Sequence, residues 1–215
     1  MKKSLILITA SILLVCTMYT PVFAQNTSPQ FGVKGGVNFS NLYTEDSDKD
    51  NVMVGYNVGL FSKMPITERF AFQTEIYYST KGAKVTYNNL FVSGTALFNL
   101  NYIEVPLLLV IKLTDNFSIH AGPYAAYLVN GKVKNDSNGT IFDFEDNIKE
   151  DDYNRFDAGI EGGISLDFSA LSLGARYSYG LTKVGKEKTF LGTTYTFPDA
   201  NNGVLNLYIA VPLLK

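Results

Sequence analysis

One histidine, His120, is the whole supply of imidazole chemistry in this 215-residue chain. It precedes the stretch AGPY, and no serine stands at a spacing that would complete a Ser–His hydrolase around it. A zinc centre needs several His or Cys ligands, and the chain has one cysteine, Cys16. Acidic residues alternate at Asp46, Asp48 and Asp50, as they do at the head of a calcium loop. Such a loop needs Gly at its sixth position and Glu at its twelfth, where this chain has Asn51 and Asn57. A solvated acidic segment is therefore the expectation there. No catalytic constellation, metal site or cofactor motif emerges, which predicts a protein that is not an enzyme and carries no cofactor.

Charged residues of another kind recur inside apolar stretches, and their spacing shows what must position them. In RFDAGIEGGISLDF, Phe156, Ala158, Ile160, Ile164, Leu166 and Phe168 share one parity, against Arg155, Asp157, Glu161, Ser165 and Asp167 on the other. In FGVKGGVNFS, Phe31, Val33, Val37 and Phe39 oppose Lys34 and Asn38. The same period of two runs through 52–60, 70–79 and 171–181, which puts Glu75 and Arg176 on the polar face. A period of two is the signature of a strand with unlike faces. With the segments near 100–113, 117–130 and 202–213, eight strands are predicted, and no mature segment has a helical period. The content of 14 Tyr, 15 Phe and 18 Gly with no Trp suits strands as well.

Short turns join these strands in pairs, around PITER, TDN and SA, while four long connections are expected at 41–51, 81–99, 131–152 and 183–201. Short turns at one end and long loops at the other are the pattern of an up-and-down transmembrane barrel, turns in the periplasm and loops outside the cell. The fold class that follows is all-β, an eight-stranded antiparallel barrel. Residues 1–24 fit an export signal, with Lys2 and Lys3, an apolar run from Leu5 to Val15 and a small-residue site ending at Ala24 before Gln25. The barrel domain is then 25–215. Removing the signal also removes Cys16, and leaves 16 Lys and Arg against 20 Asp and Glu, with no basic patch for nucleic acid.

The apolar, aromatic face must meet lipid. A Lys or Arg there costs roughly 2–4 kcal/mol at mid-membrane, so the charged parity must face the lumen. The expected inward set is Lys34, Lys63, Lys112, Arg155 and Arg176 with Glu75, Glu104, Asp157, Glu161 and Asp167, five charges of each sign. An eight-stranded tube is just filled by its own side chains, and buried charges must be paired. A salt-bridge plug is predicted, with Arg176 opposite Gly163 and diagonal to Glu161 across the SA turn. His120 is expected inside. The long loops, with Asp136, Asp143, Glu145, Asp146, Glu150, Asp151 and Asp152 in the third and Lys183, Lys186 and Lys188 in the fourth, are where external recognition would occur.

Taken in order, FGVKGGVNFSNL, YIEVPLLL, HAGPYAAYLV, FDAGIEGGISLDF and LGARYSYGLTKV resemble the PorT-like family of outer-membrane β-barrels over nearly the whole mature chain. The resemblance implies an eight-stranded barrel in a Gram-negative outer membrane, in contact with outer-membrane lipid and lipopolysaccharide, and supplies no catalytic residues. Its namesake is associated with protein secretion. A structural or interaction protein is expected, with protein partners at the surface loops or the periplasmic face; the alternative is a small-solute conduit or a lipid-modifying barrel enzyme. Two prolines strain the strand reading. Pro106 lacks a ladder donor, so a bulge is expected beside it, and Pro212 lies near a last strand that ends in Lys215 rather than the aromatic residue common in such barrels.

Overall fold

Alternation of apolar and polar residues becomes, in the computed structural model, a ring of strands that closes on itself. The structure describes residues 28–43, 52–88, 93–137, 144–147, 154–184, 187–190, 193–196 and 201–214. In chain order the strands are β1 (Gln30–Tyr43), β2 (Met53–Pro65), β3 (Phe70–Asn88), β4 (Ser93–Thr114), β5 (Phe117–Ser137), β6 (Phe144–Asn147), β7 (Phe156–Asp167), β8 (Ser172–Lys183), β9 (Glu187–Phe190), β10 (Thr193–Thr196) and β11 (Asn201–Leu214). Eight of them form the barrel: β1 pairs with β2 on one side and β11 on the other, and β4 with β5 completes the circle, every pairing antiparallel. β6 sits on the upper part of β5, and β9 and β10 form a separate hairpin.

The two faces divide as the period requires. Val54, Tyr56, Val58 and Leu60 are each more than half exposed on the outside, while Asn57 and Phe61, of the opposite parity, are buried. Outward aromatic side chains gather near both ends of the wall, Phe31, Phe70, Phe72 and Phe168 at the short-turn end and Tyr56, Tyr127, Phe156 and Tyr179 towards the other. Two such girdles are what the membrane interfaces favour. The turns are tight: Phe168 N–H donates to the Leu171 carbonyl (2.8 Å), which leaves Ser169 and Ala170 as a two-residue loop.

Two expectations need correction. The connections 81–99 and 131–152 contain paired strand: β3 and β4 stay paired as far as Asn88 and Ser93, and β4 and β5 as far as Gly94 and Ser137. Beyond the membrane neither face has to be apolar, so the period fades from the sequence although backbone pairing continues. Nor is there a bulge at Pro106. It pairs with Tyr124, and the alignment of β4 on β3 is the same on either side of it, Tyr77 with Glu104 and Thr74 with Leu107. The missing donor is absorbed as a gap in the β3–β4 ladder, and inward parity runs unbroken through Glu104, Pro106, Leu108 and Val110, all buried. Bulges fall elsewhere, at Asn101/Tyr102, at Lys112/Thr114, and between Phe31 and Gly32 in the closing seam, where Gly32 faces Pro212.

Candidate functional site: the charged lumen

Three tiers of polar side chains fill the barrel. At mid-height, Arg176 on β8 donates twice to Glu75 on β3, Nη1 to Oε2 at 2.9 Å and Nη2 to Oε1 at 2.8 Å. Its Nη1 also donates to Glu161 on β7 (2.9 Å), and its Nε to His120 Nε2 on β5 (3.1 Å). The ring nitrogen thus acts as an acceptor. Lys34 on β1 donates to Glu75 (2.8 Å), Gln73 to the same carboxylate (2.6 Å), and Ser178 to Glu161 (2.9 Å). Gly163 pairs with Arg176 in the β7–β8 register, which sets Glu161 on the diagonal. The ring of Tyr208 crosses this tier with the Lys34 ammonium 4.1 Å from its centroid. It passes over Gly174, where a Cβ would come within 2.2 Å of the ring. Glycine at that inward position makes room for the aromatic plug.

The upper tier centres on Lys81, which the sequence reading placed in a connection. Its ammonium pairs with Glu104 and lies 3.8 Å from Asp157, over the rings of Tyr124 and Tyr102. Tyr77 hydroxyl donates to Glu104. Asp157 accepts from Thr182 (2.8 Å), Asn202 (2.9 Å) and Tyr124 (3.2 Å). Between the tiers a hydrogen-bonded group links four strands: Asn57 on β2 and Asn206 on β11 both donate to Asn38 on β1, and Asn38 to Ser79 on β3.

Charge in this sealed section is not balanced one for one. Lys34, Lys81 and Arg176 face Glu75, Glu104, Asp157 and Glu161, all at most 4 % exposed. Hydroxyl and amide groups donate further hydrogen bonds to Glu104, Asp157 and Glu161, as buried polar oxygens require.

The lowest tier is the short-turn mouth. Asp167 accepts from Ser118 and Ser172, each at 2.6 Å. Lys63, Lys112 and Asp167 line a cavity of about 270 Å³ under His120 and Tyr208. Of the ten residues expected in one network, the structure brings Lys34, Glu75, Glu161 and Arg176 together in one tier and Glu104 with Asp157 in the next, and leaves Lys63, Lys112 and Asp167 at the mouth. Arg155 is a correction. It stands in the bend before β7, and its guanidinium donates to the hydroxyl of Tyr127 (2.8 Å), an outer-face residue. Strand parity does not bind a side chain at the rim, where it can turn over the edge.

The remaining expectations concern residues of several kinds. Ala24, Gln25, Asp46, Asp48, Asp50, Asp143, Glu150, Asp151, Asp152 and Lys186 lie outside the described residues. Asp136 is in β5, Glu145 and Asp146 in β6, Lys183 in β8 and Lys188 in β9. Among the described residues no group of three His, Cys, Asp or Glu side chains is placed to hold a metal ion.

Comparison with known proteins agrees with this architecture. Residues 23–185 match the family model described as the outer membrane protein beta-barrel domain. No curated protein sequence matches the chain. Among solved structures, Ail, the attachment invasion locus protein of Yersinia pestis, in complex with the heparin analogue sucrose octasulfate, is 14% identical with a TM-score of 0.50, over 87% of this chain and 100% of that one. Neisserial surface protein A is 13% identical with a TM-score of 0.50, over 86% and 99%. At such identities the likeness concerns the fold.

Proposed function

The chain belongs to the outer membrane protein beta-barrel domain family, and from that premise we propose that it is a non-conducting membrane anchor presenting an extracellular sheet to protein partners. The carrying observation is the length of β3, β4 and β5, at 19, 22 and 21 residues. A tilted strand crosses the membrane in about 9–11 residues. Roughly half of each strand therefore lies beyond the bilayer, still paired, with β6 added to its flank. The sealed lumen supports the same reading, because it offers the solute no path and spends its polar groups on one another.

The test shortens the projection without touching the barrel. Ala83 pairs with Phe98, so replacing residues 84–97 by Asn-Gly, a two-residue hairpin turn, closes β3 on β4 in register. Cross-linking on intact cells, followed by purification of each barrel, is expected to recover a partner with the wild type that the shortened protein loses while still inserting in the outer membrane. Identical cross-linked species from both proteins would refute the surface role.

A further inference from the structure

We propose that the short-turn mouth of the barrel is a binding site for a small oxyanion, a phosphate or a short carboxylate, held by Lys63 and Lys112. The cavity there measures about 270 Å³. A water occupies about 30 Å³ in the liquid, so the space accommodates such an anion together with several of its waters. Lys63 enters from β2 and Lys112 from β4, on opposite sides of β3.

Neither lysine serves the plug. Among the described residues, neither ammonium has a hydrogen-bond partner or a carboxylate within 4.0 Å. Lys63 is nevertheless half-buried in the wall of the cavity. Lys112 repels the Lys63 ammonium and Asp167 attracts it only from beyond contact distance, so its burial is incompletely compensated, and an anion between the two lysines would contact both directly. Asp115 and Asp167 line the same space and oppose anion entry; the two oxygens of Asp167 are turned to the hydroxyls of Ser118 and Ser172. Gln73 and Asn116 share the lining; each has one amide N–H committed, to Glu75 and to the Asp167 carbonyl, and a second left for the ligand's other oxygens. Above, His120 Nε2 is already occupied by Arg176 and the Tyr208 ring lies across Gly174. The cavity is a blind vestibule facing the periplasm, suited to holding an anion rather than passing it through.

Isothermal titration calorimetry on the purified full-length barrel in a zwitterionic detergent tests the site, using inorganic phosphate and succinate as probes against sodium chloride of equal ionic strength. Saturable one-to-one binding of at least one probe is expected. Lys63→Gln and Lys112→Gln should each weaken it about tenfold, the loss of one charge-assisted hydrogen bond, and the double substitution should abolish it. Lys132→Gln, at the other end of the barrel, should leave it unchanged. Phosphate and succinate affinities measured side by side decide which oxyanion the vestibule takes. Circular dichroism keeps misfolded variants out of the comparison, and Lys112→Gln, at an exposed position, provides a variant that does not disturb packing. Absence of saturable heat with both probes, or binding that survives the folded double variant, overturns the proposal.

Discussion

Arg176 is the side chain on which the interior depends, because it is 1 % exposed and shared by Glu75, Glu161 and His120. Replacing it with Met leaves Glu161 with Ser178 as its remaining described donor, and removing one partner from a buried ion pair costs about 3–5 kcal/mol. Urea unfolding of the barrel in lipid vesicles should show a loss of that size for Arg176→Met. Adding Glu161→Gln should return part of it, with a coupling of about 1–2 kcal/mol in the double-mutant cycle; strictly additive losses would mean that the two groups do not act as a pair. The sequence made most of this cluster legible, since period two assigns Lys34, Glu75, Glu161 and Arg176 to one face regardless of where they pair. It did not reveal Lys81. That residue lies at the end of the apolar alternation, where the outer face no longer reports which way the strand is turned. Arg155 failed in the opposite sense, because a long side chain at a strand end is not held to the parity of the strand.

At the scale of the strand, close approach of neighbouring backbones is the condition that sequence period cannot express. Gly122 on β5 faces the β4 backbone so closely that a Cβ would stand 1.9 Å from the Leu107 carbonyl oxygen, whereas one on Gly162 of β7 would meet nothing nearer than 3.6 Å. Gly122→Ala should therefore push β5 off β4 and cost about 1–3 kcal/mol, as overpacking does. Gly162→Ala should stay within about 0.5 kcal/mol of the wild type, as open sites do. Equilibrium unfolding of the two variants side by side checks the contrast, and equal effects would place the strand spacing in error. Gly122 lies beside the stretch where the β4–β5 ladder has no rungs between Pro106–Tyr124 and Leu109–Ala121. Pro123 removes the β5 donor there, as Pro106 removes one from the β3–β4 ladder, and the β4–β5 register is kept across the gap without a bulge. The expectation of a bulge followed the usual remedy for a strand proline. A gap in the ladder is the remedy this barrel uses, and nothing in the local sequence distinguishes the two.

For the molecule as a whole, the count of strands decides what the lumen can be, and that count was legible because the apolar period recurs eight times. An eight-stranded ring leaves a bore that its own side chains fill, and here Arg176, Glu75 and Tyr208 occupy it at mid-height with Lys34 stacked on the tyrosine. What was not legible is how much of each strand continues outside the membrane, because pairing there rests on backbone hydrogen bonds that almost any polar sequence can make. The two halves of the molecule should then behave differently: a lumen closed by its middle and upper tiers of bonded groups, and a projecting sheet that contributes nothing to closure. Planar-bilayer recordings separate them. The wild-type barrel should show no stable unitary conductance at either polarity, and the hairpin-shortened protein should be equally silent. The triple substitution Glu75→Ala, Arg176→Ala and Tyr208→Ala removes opposite charges together with the aromatic cover, so no lone ion of the Glu75–Arg176 pair is left stranded and water can enter the vacated space. It should produce small, frequent openings in protein shown by circular dichroism to be folded. A steady open level in the wild type would mean that the polar groups line a conducting path rather than fill one, and the anchor reading would give way to the conduit.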